Sequence, residues 1–413
     1  MSETAGRALL LRGASVVGVQ GVTAGSSVLV RDGRIARVAH GVDGDGSDGS
    51  DGGSRGNSGE GGDARVLDLA GLTLWPGFVD LHNHGAAGVD VNEADADALH
   101  AASRFLASKG VTAWLPTLVP APDEDYRRAA REVGRLMREQ DGREPSARAL
   151  GLHYEGPFVN GRQCGALRTQ FFRTYAGPSD ADVLARVGAD GARHLVTLAP
   201  EVAGGVELIA ELTRRGWVVS IGHTRAGVET LEQAREAGAR HMTHFMNAMP
   251  QLHHREPGPV GWGLTRDDVT VDVIADGVHL DPLALRLVVR AKSPGGVALI
   301  SDSVAPAGLG DGEFRLWGET IRVAGGRTSN ERGDIAGSVV TLLEATRTVL
   351  GLGCAEHDVA RMASLNPARL LGLDAELGSI EVGKRADLVA VDEGGRVRLT
   401  LVGGREAFRD GDL

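Results

Sequence analysis

The chain carries two rhythms of apolar positions. In its first forty residues, short runs alternate apolar and polar side chains over 14–19, 27–31 and 34–39, with a turn signal at Asp32-Gly33 between the last two. This is the period and turn chemistry of antiparallel strands. Strand character resumes at 66–69 and the rhythm then changes. Eight short apolar runs follow, at 77–81, 111–116, 150–154, 194–198, 217–221, 241–245, 271–274 and 297–300. Between them, 125–138, 207–215, 227–237 and 282–290 repeat apolar residues every three to four positions, as helices do. Strands alternating with helices build parallel βαβ units, and eight of them predict a closed (β/α)8 TIM-like barrel in an α/β fold. A doubly wound sheet is the alternative topology. Helical spacing returns at 338–352 and 359–371, and short strands return over 378–408.

The terminal strand segments predict one small β-sandwich domain built from 1–72 and 376–413, with the barrel, 73–375, inserted between its halves. Within the first half, 41–63 is almost wholly Gly, Asp and Ser, and reads as a disordered insertion. Its aspartates do not follow the order of a calcium-binding EF-hand loop.

Composition narrows the function classes. A net charge of −11 over 413 residues opposes a nucleic-acid surface, and no apolar run reaches the ~20 residues of a membrane span. The start of the chain lacks the features of a secretory signal. Two cysteines, Cys164 and Cys354, make no disulfide framework and fit a cytoplasmic protein.

In a barrel of this type, reactive groups project from the C-terminal ends of the strands. The first apolar run ends in His82-Asn83-His84, the third in Glu155, the fifth in Gly222-His223, the sixth in His244, the seventh leads to Asp276 and His279, and the eighth to Ser301-Asp302. The period of two in a strand points His82 and His84 to the same side. Alone, each histidine reads as an ordinary hydrogen-bonded side chain; their convergence on one barrel mouth points to a metal site. Imidazole and carboxylate suit Zn²⁺ or Fe²⁺. Glu155, His223 and His244 form one ligand set, and His82 and His84, with Asp302 and a shared Glu155, could hold a second ion. None of the three lysines, Lys109, Lys292 and Lys384, ends a strand, so no carboxylated lysine bridges two ions and Glu155 takes that place. A metal lowers the pKa of its water toward ~7, and Asp302 is placed to accept the proton and return it to a leaving amine. His40, His100, His153, His194, His241, His253, His254 and His357 are assigned no metal.

Together with Asn247-Ala248-Met249, Arg255-Glu256-Pro257-Gly258, Asp276-Gly277-Val278-His279 and Asn366-Pro367-Ala368, these segments resemble the N-acetylglucosamine-6-phosphate deacetylase family of the amidohydrolase superfamily. The resemblance spans nearly the whole chain in family order. It implies a homodimeric, metal-dependent enzyme, with one or two Zn or Fe ions per subunit, that releases acetate from an N-acetyl amino sugar 6-phosphate. By the same resemblance, Asn247 and Ala248 contact the sugar phosphate, Arg255 reaches in from the neighbouring subunit, and His279 orients the substrate. Asp276 and the segments Ala166-Leu167 and Ile335-Ala336-Gly337 also fall among its substrate contacts. One position departs: where the family carries a histidine after Gly-Ala, this chain carries Leu167. Either the metal alone or a neighbour such as Arg168 polarises the amide, or the substrate is a different N-acyl sugar or another amide. A third reading, a sugar-phosphate binder without turnover, is opposed by the complete ligand set and by Asp302.

Overall fold

The computed structural model describes residues 8–40, 64–188, 191–411 and 413. The Gly/Asp/Ser segment expected to be a disordered insertion, 41–63, lies outside the described residues. The eight expected strands form one parallel sheet in chain order: Phe78–Asn83, Val111–Leu118, Gly151–Glu155, Arg193–Leu198, Val218–Ile221, His241–Met242, Thr270–Ile274 and Val297–Ile300. The last meets the first where the Asp302 N–H donates to the His82 carbonyl at 2.8 Å and Ser303 bridges in parallel to Asn83. The sheet is therefore a barrel, and the doubly wound alternative is set aside.

Parallel strands covered on both faces are apolar throughout. Every residue of Val111–Leu118 is buried, and on the last strand Ala298 and Ile300 pack in one apolar cluster while Val297 and Leu299 pack in another. The first cluster also holds Val79, Leu81, Leu195, Ala368, Leu371 and Leu377. The second joins strand residues to those of the surrounding helices, among them Asp123–Glu139, Gly205–Arg214, Val228–Ala237 and Pro282–Lys292. The single helix expected over 359–371 is instead three pieces: Glu356–Ala360, a wider π turn at Arg361–Leu365, and Asn366–Leu370. Pro367 has no N–H to give to the preceding turn, and a π turn there accommodates it.

The terminal segments share a second sheet. Thr73–Pro76 pairs in antiparallel register with Leu388–Val391, while Thr73 and Leu74 pair in parallel with Ser15 and Val16 of Leu9–Val17. The strand Arg34–Ala39, at one edge of the sheet, meets the segment that leads into Leu388–Val391, where the Ile35 N–H donates to the Lys384 carbonyl and the Gly383 N–H to that of Ile35, both at 2.8 Å. The sheet thus folds over its own core of Leu11, Val28, Val30, Leu388, Leu399 and Leu401. The Asp32-Gly33 turn has φ of 49° and 74°, as a two-residue hairpin requires. Among the described residues, no helix is long and apolar enough to cross a membrane.

Two small sheets were not foreseen, one of them the antiparallel pair Gly85–Ala86 and Val89–Asp90. After the eighth strand the chain makes a three-stranded antiparallel meander, Gly312–Leu316, Glu319–Ala324 and Arg327–Ser329, beside the barrel mouth.

Candidate metal centre

The barrel's C-terminal end concentrates polar side chains in an otherwise apolar interior. His82, His84, Glu155, His223, His244 and Asp302 are all buried. Three of them, His223, His244 and Asp302, sit immediately beyond their strands at φ of 49°, 31° and 49°, as do Met246 and Ala248 at 75° and 50°. Residues with side chains rarely adopt this backbone, and such strain clusters at working sites.

Glu155 is the hub. Its Oε1 lies 2.9 Å from Nε2 of both His223 and His244, and 3.7 Å from Nε2 of His82. Its Oε2 lies 3.4 Å from His84 Nε2. Asp302 Oδ1 stands 3.3 Å from His82 Nε2 and 3.2 Å from His84 Nε2. The imidazoles meet in pairs, His82 and His84 Nε2 at 3.0 Å and His223 and His244 Nε2 at 3.1 Å. Two triads, His82/His84/Glu155 and Glu155/His223/His244, bring their ligand atoms within 4.8 Å of one another.

The tautomers test whether these groups fit a cation. His223 Nδ1–H donates to the Gln163 carbonyl at 2.7 Å, and His84 Nδ1–H to that of Thr117 at 3.2 Å. A carbonyl can only accept, so both neutral rings turn bare Nε2 lone pairs toward the carboxylates. Buried lone pairs that face anions need a positive charge between them, supplied by a proton or a metal ion. Without metal, protons fill that role. Burial pushes the His84 imidazole down, but Asp302 and Glu155 outweigh it and raise it to about 10. His244 is raised to about 9 in the same contest of burial against Glu155. Burial pushes Glu155 and Asp302 up, while His82 and the other histidines draw both below the usual carboxylate range. The donor set suits a divalent cation.

Beneath the cluster, His153 bonds to the Leu81 carbonyl at 3.1 Å and to Thr197 Oγ1 at 2.8 Å, and burial holds its pKa well down. His241 Nε2 meets Asp272 Oδ2 at 2.8 Å, and the other Asp272 oxygen accepts the His244 N–H. These two histidines lie under the cluster and are held by hydrogen bonds of their own.

A cavity of about 240 Å³ opens onto the cluster. It is lined by His84, Glu155, His223, His244 and Asp302, and by six of the expected substrate contacts besides His279: Ala166, Leu167, Asn247, Ala248, Ile335 and Gly337. His82 lies just beneath it, fully buried. Three expected contacts lie elsewhere. Asp276 is not in the wall: its carboxylate accepts the Val278 and His279 N–H groups and holds His279 Nδ1 at 2.7 Å. Ala336 is fully buried behind Ile335 and Gly337. Arg255 is exposed and donates to His254 Nε2 at 2.8 Å, outside the cavity of its own chain. Arg168, considered as a stand-in for the missing histidine, also lies outside the wall; it donates to the Pro120 carbonyl at 2.9 Å and covers the Phe171 ring.

Gly165, Ile274, Trp317 and Asp334 line the cavity without having been foreseen. Trp317 is carried by the unexpected meander. Alternation of Phe314 with Leu316 and of Ile321 with Val323, around the Trp317-Gly318 and Gly325-Gly326 turns, was the available signal for it.

Residues 73–407 match the amidohydrolase family model. The chain is 36% identical over 342 residues to the N-acetylglucosamine-6-phosphate deacetylase of Bacillus subtilis (strain 168), covering 82% of this chain and 85% of that one. It is 37% identical over 335 residues to the N-acetylgalactosamine-6-phosphate deacetylase of Escherichia coli O157:H7, covering 81% and 87%. Among solved structures it superposes on an N-acetyl-D-glucosamine-6-phosphate deacetylase mutant from Mycobacterium smegmatis, in complex with N-acetyl-D-glucosamine-6-phosphate, with a TM-score of 0.84 and 29% identity over 97% of this chain and 100% of that one. The Thermotoga maritima N-acetylglucosamine-6-phosphate deacetylase matches with a TM-score of 0.82 and 30% identity over the same shares.

Proposed function

The chain belongs to the amidohydrolase family, and from that premise we propose that it hydrolyses the acetamide of an N-acetyl amino sugar 6-phosphate, releasing acetate and a free amine. The observation that carries this reading is the convergence of four imidazoles on Glu155, with Asp302 beside them at the cavity floor. Glu155, His223 and His244 would hold one divalent cation, Zn or Fe, and His82 and His84 with Glu155 a second. A cation held there acidifies water and polarises an amide carbonyl.

The remaining work falls to this chain's own groups. Asp302, kept ionised by its histidine neighbours, accepts a proton from the attacking water and returns it to the departing nitrogen. His279 has Nδ1–H committed to Asp276, so its Nε2 faces the cavity with a defined orientation and places the substrate. Asn247 and Ala248 take the phosphorylated end of the sugar. Arg255, outside its own cavity, completes that end in a second copy of the chain, in a cytoplasmic homodimer. Its guanidinium fork matches a phosphate.

A second reading concerns the sugar and the acyl group. Relatives acting on the glucosamine and galactosamine compounds are equally similar, and Leu167 places an apolar side chain in the wall. The test is acetate and amine release by the metal-loaded protein from N-acetylglucosamine 6-phosphate, its galactosamine epimer, and the unphosphorylated sugars. Phosphate-dependent turnover of either epimer upholds the reading. Metal-loaded protein inert on both phosphates, yet active on other amides, overturns it.

A further inference from the structure

Trp317 occupies a backbone position that a bulky residue rarely takes. It forms the tip of the hairpin between Gly312–Leu316 and Glu319–Ala324, and Trp317 and Gly318 have φ of 53° and 84°. Such turns favour glycine, asparagine or aspartate at both positions, so an indole there is retained against the backbone's preference. The side chain folds back over the barrel mouth. Its ring centroid is 5.5 Å from that of His84 at an interplanar angle of 79°, and the residue is 7% exposed. It packs in an apolar cluster with Leu167, Val159 and Val304, and both Trp317 and Leu167 line the cavity. Its N–H is buried away from the cavity near Asp90, whose carboxyl it draws down against burial; neither Trp317 Nε1 nor Asp90 Oδ2 has a full hydrogen-bond partner. The carbon edge of the indole is therefore the part left to face the cavity.

This wall stands directly beside the polar cluster and offers no hydrogen bond. A sugar ring set against it would leave hydroxyls unpaired, which is costly in a buried site. An N-acyl amino sugar phosphate has one substituent without that need, the carbon chain of its acyl group, attached to the carbonyl that must reach the cluster. Resting on the deacylase reading above, we propose that Trp317, with Leu167, closes the acyl end of the site and sets the length of acyl chain removed: acetyl is admitted and butanoyl excluded.

The test compares kcat/KM for N-acetyl- and N-butanoylglucosamine 6-phosphate in the metal-loaded wild type and in Trp317→Ala, Trp317→Leu and Trp317→Phe. The butanoyl-to-acetyl ratio is internal to each variant, so a partly folded sample does not move it. Trimming the indole should raise the ratio at least about 10-fold, the lower end for methylene-sized discrimination in an apolar pocket. Phe, which keeps a ring in place, should stay within about threefold of wild type on the same scale. Acetyl turnover with a ratio unmoved by both Ala and Leu overturns the acyl wall and leaves the deacylase reading standing. If the loaded wild type turns over neither amide, the comparison is run on the galactosamine epimers; absence of turnover on both epimers overturns that reading, and the wall with it.

Discussion

The Asp302 backbone N–H donates to the His82 carbonyl at 2.8 Å, so the candidate proton carrier just beyond the last barrel strand is bonded to a candidate ligand on the first. That closure is reinforced by Asn83 Nδ2, which donates to Asp80 Oδ2 at 3.0 Å and to Ser303 Oγ at 2.8 Å, and by Ser301 Oγ, which donates to Asp80 Oδ2 at 2.6 Å. The position of Asp302 is thus set by backbone and neighbours, not by its own carboxylate.

Asp302→Asn should therefore fold and retain metal while losing turnover by roughly 10²–10⁴, the usual contribution of a general acid–base group. Acetate release and metal content, measured on the same sample, check this. Near-normal turnover would remove Asp302 from proton transfer.

Arg255 is predicted to act in the neighbouring subunit's site. Arg255→Ala alone should raise KM for the phosphorylated substrate about 10-fold or more, as expected for loss of a charge-assisted contact. Mixing it with Asp302→Asn should restore normal KM in part of the population, because a mixed dimer then has one site with both groups intact. If the residue serves its own chain, mixing restores nothing.

Metal loading should release protons. At pH 7 the metal-free site keeps His84 and His244 charged, since they are raised to about 10 and about 9. A cation must displace those protons, giving about two per subunit when both triads fill. Calorimetry in buffers of differing ionisation enthalpy measures the number. A value near zero would mean that these imidazoles are not the ligands.

Stability should fall in mild acid through His194. Burial, with Arg186 nearby, lowers this imidazole to about 4, and its Nε2 accepts the Val187 N–H at 2.9 Å. A depressed folded pKa gives stability that is present above the unfolded value of about 6.5 and lost as pH falls toward 4. Between pH 7 and pH 5 the loss is roughly 2 kcal/mol. His194→Gln keeps an acceptor and cannot titrate, so its urea midpoint should change less over that interval. Equal acid sensitivity in both proteins would refute this.

Much of the site was legible because it is written in strand registers. A parallel strand buried on both faces has no reason to end in a charge, so His82, Glu155, His223, His244 and Asp302 stood out against their apolar runs. Side-chain direction was less legible. Asp276 follows its strand as the candidate ligands do, yet its carboxylate bonds to His279 outside the cavity wall, and Arg168 turns to Pro120; sequence spacing places a residue near the mouth but does not choose its rotamer. Trp317 was missed because its meander follows the eighth strand, outside the strand–helix alternation that organised the reading. The π turn at Arg361–Leu365 was missed because its apolar spacing is nearly helical.

The pairing of Thr73–Pro76 with Leu388–Val391 has a consequence for biogenesis. A ribosome makes the first of these strands and must add more than three hundred residues before its partner exists, a delay of tens of seconds at ordinary elongation rates. During that interval the edge of Thr73–Pro76 that Leu388–Val391 will cover is an open β edge, the kind of template that invites aggregation. The barrel residues lie between these partners in the chain, so the terminal sheet is sealed last. Emergence of Leu388–Val391, which follows all of the candidate ligands in the chain, is the event that closes this sheet.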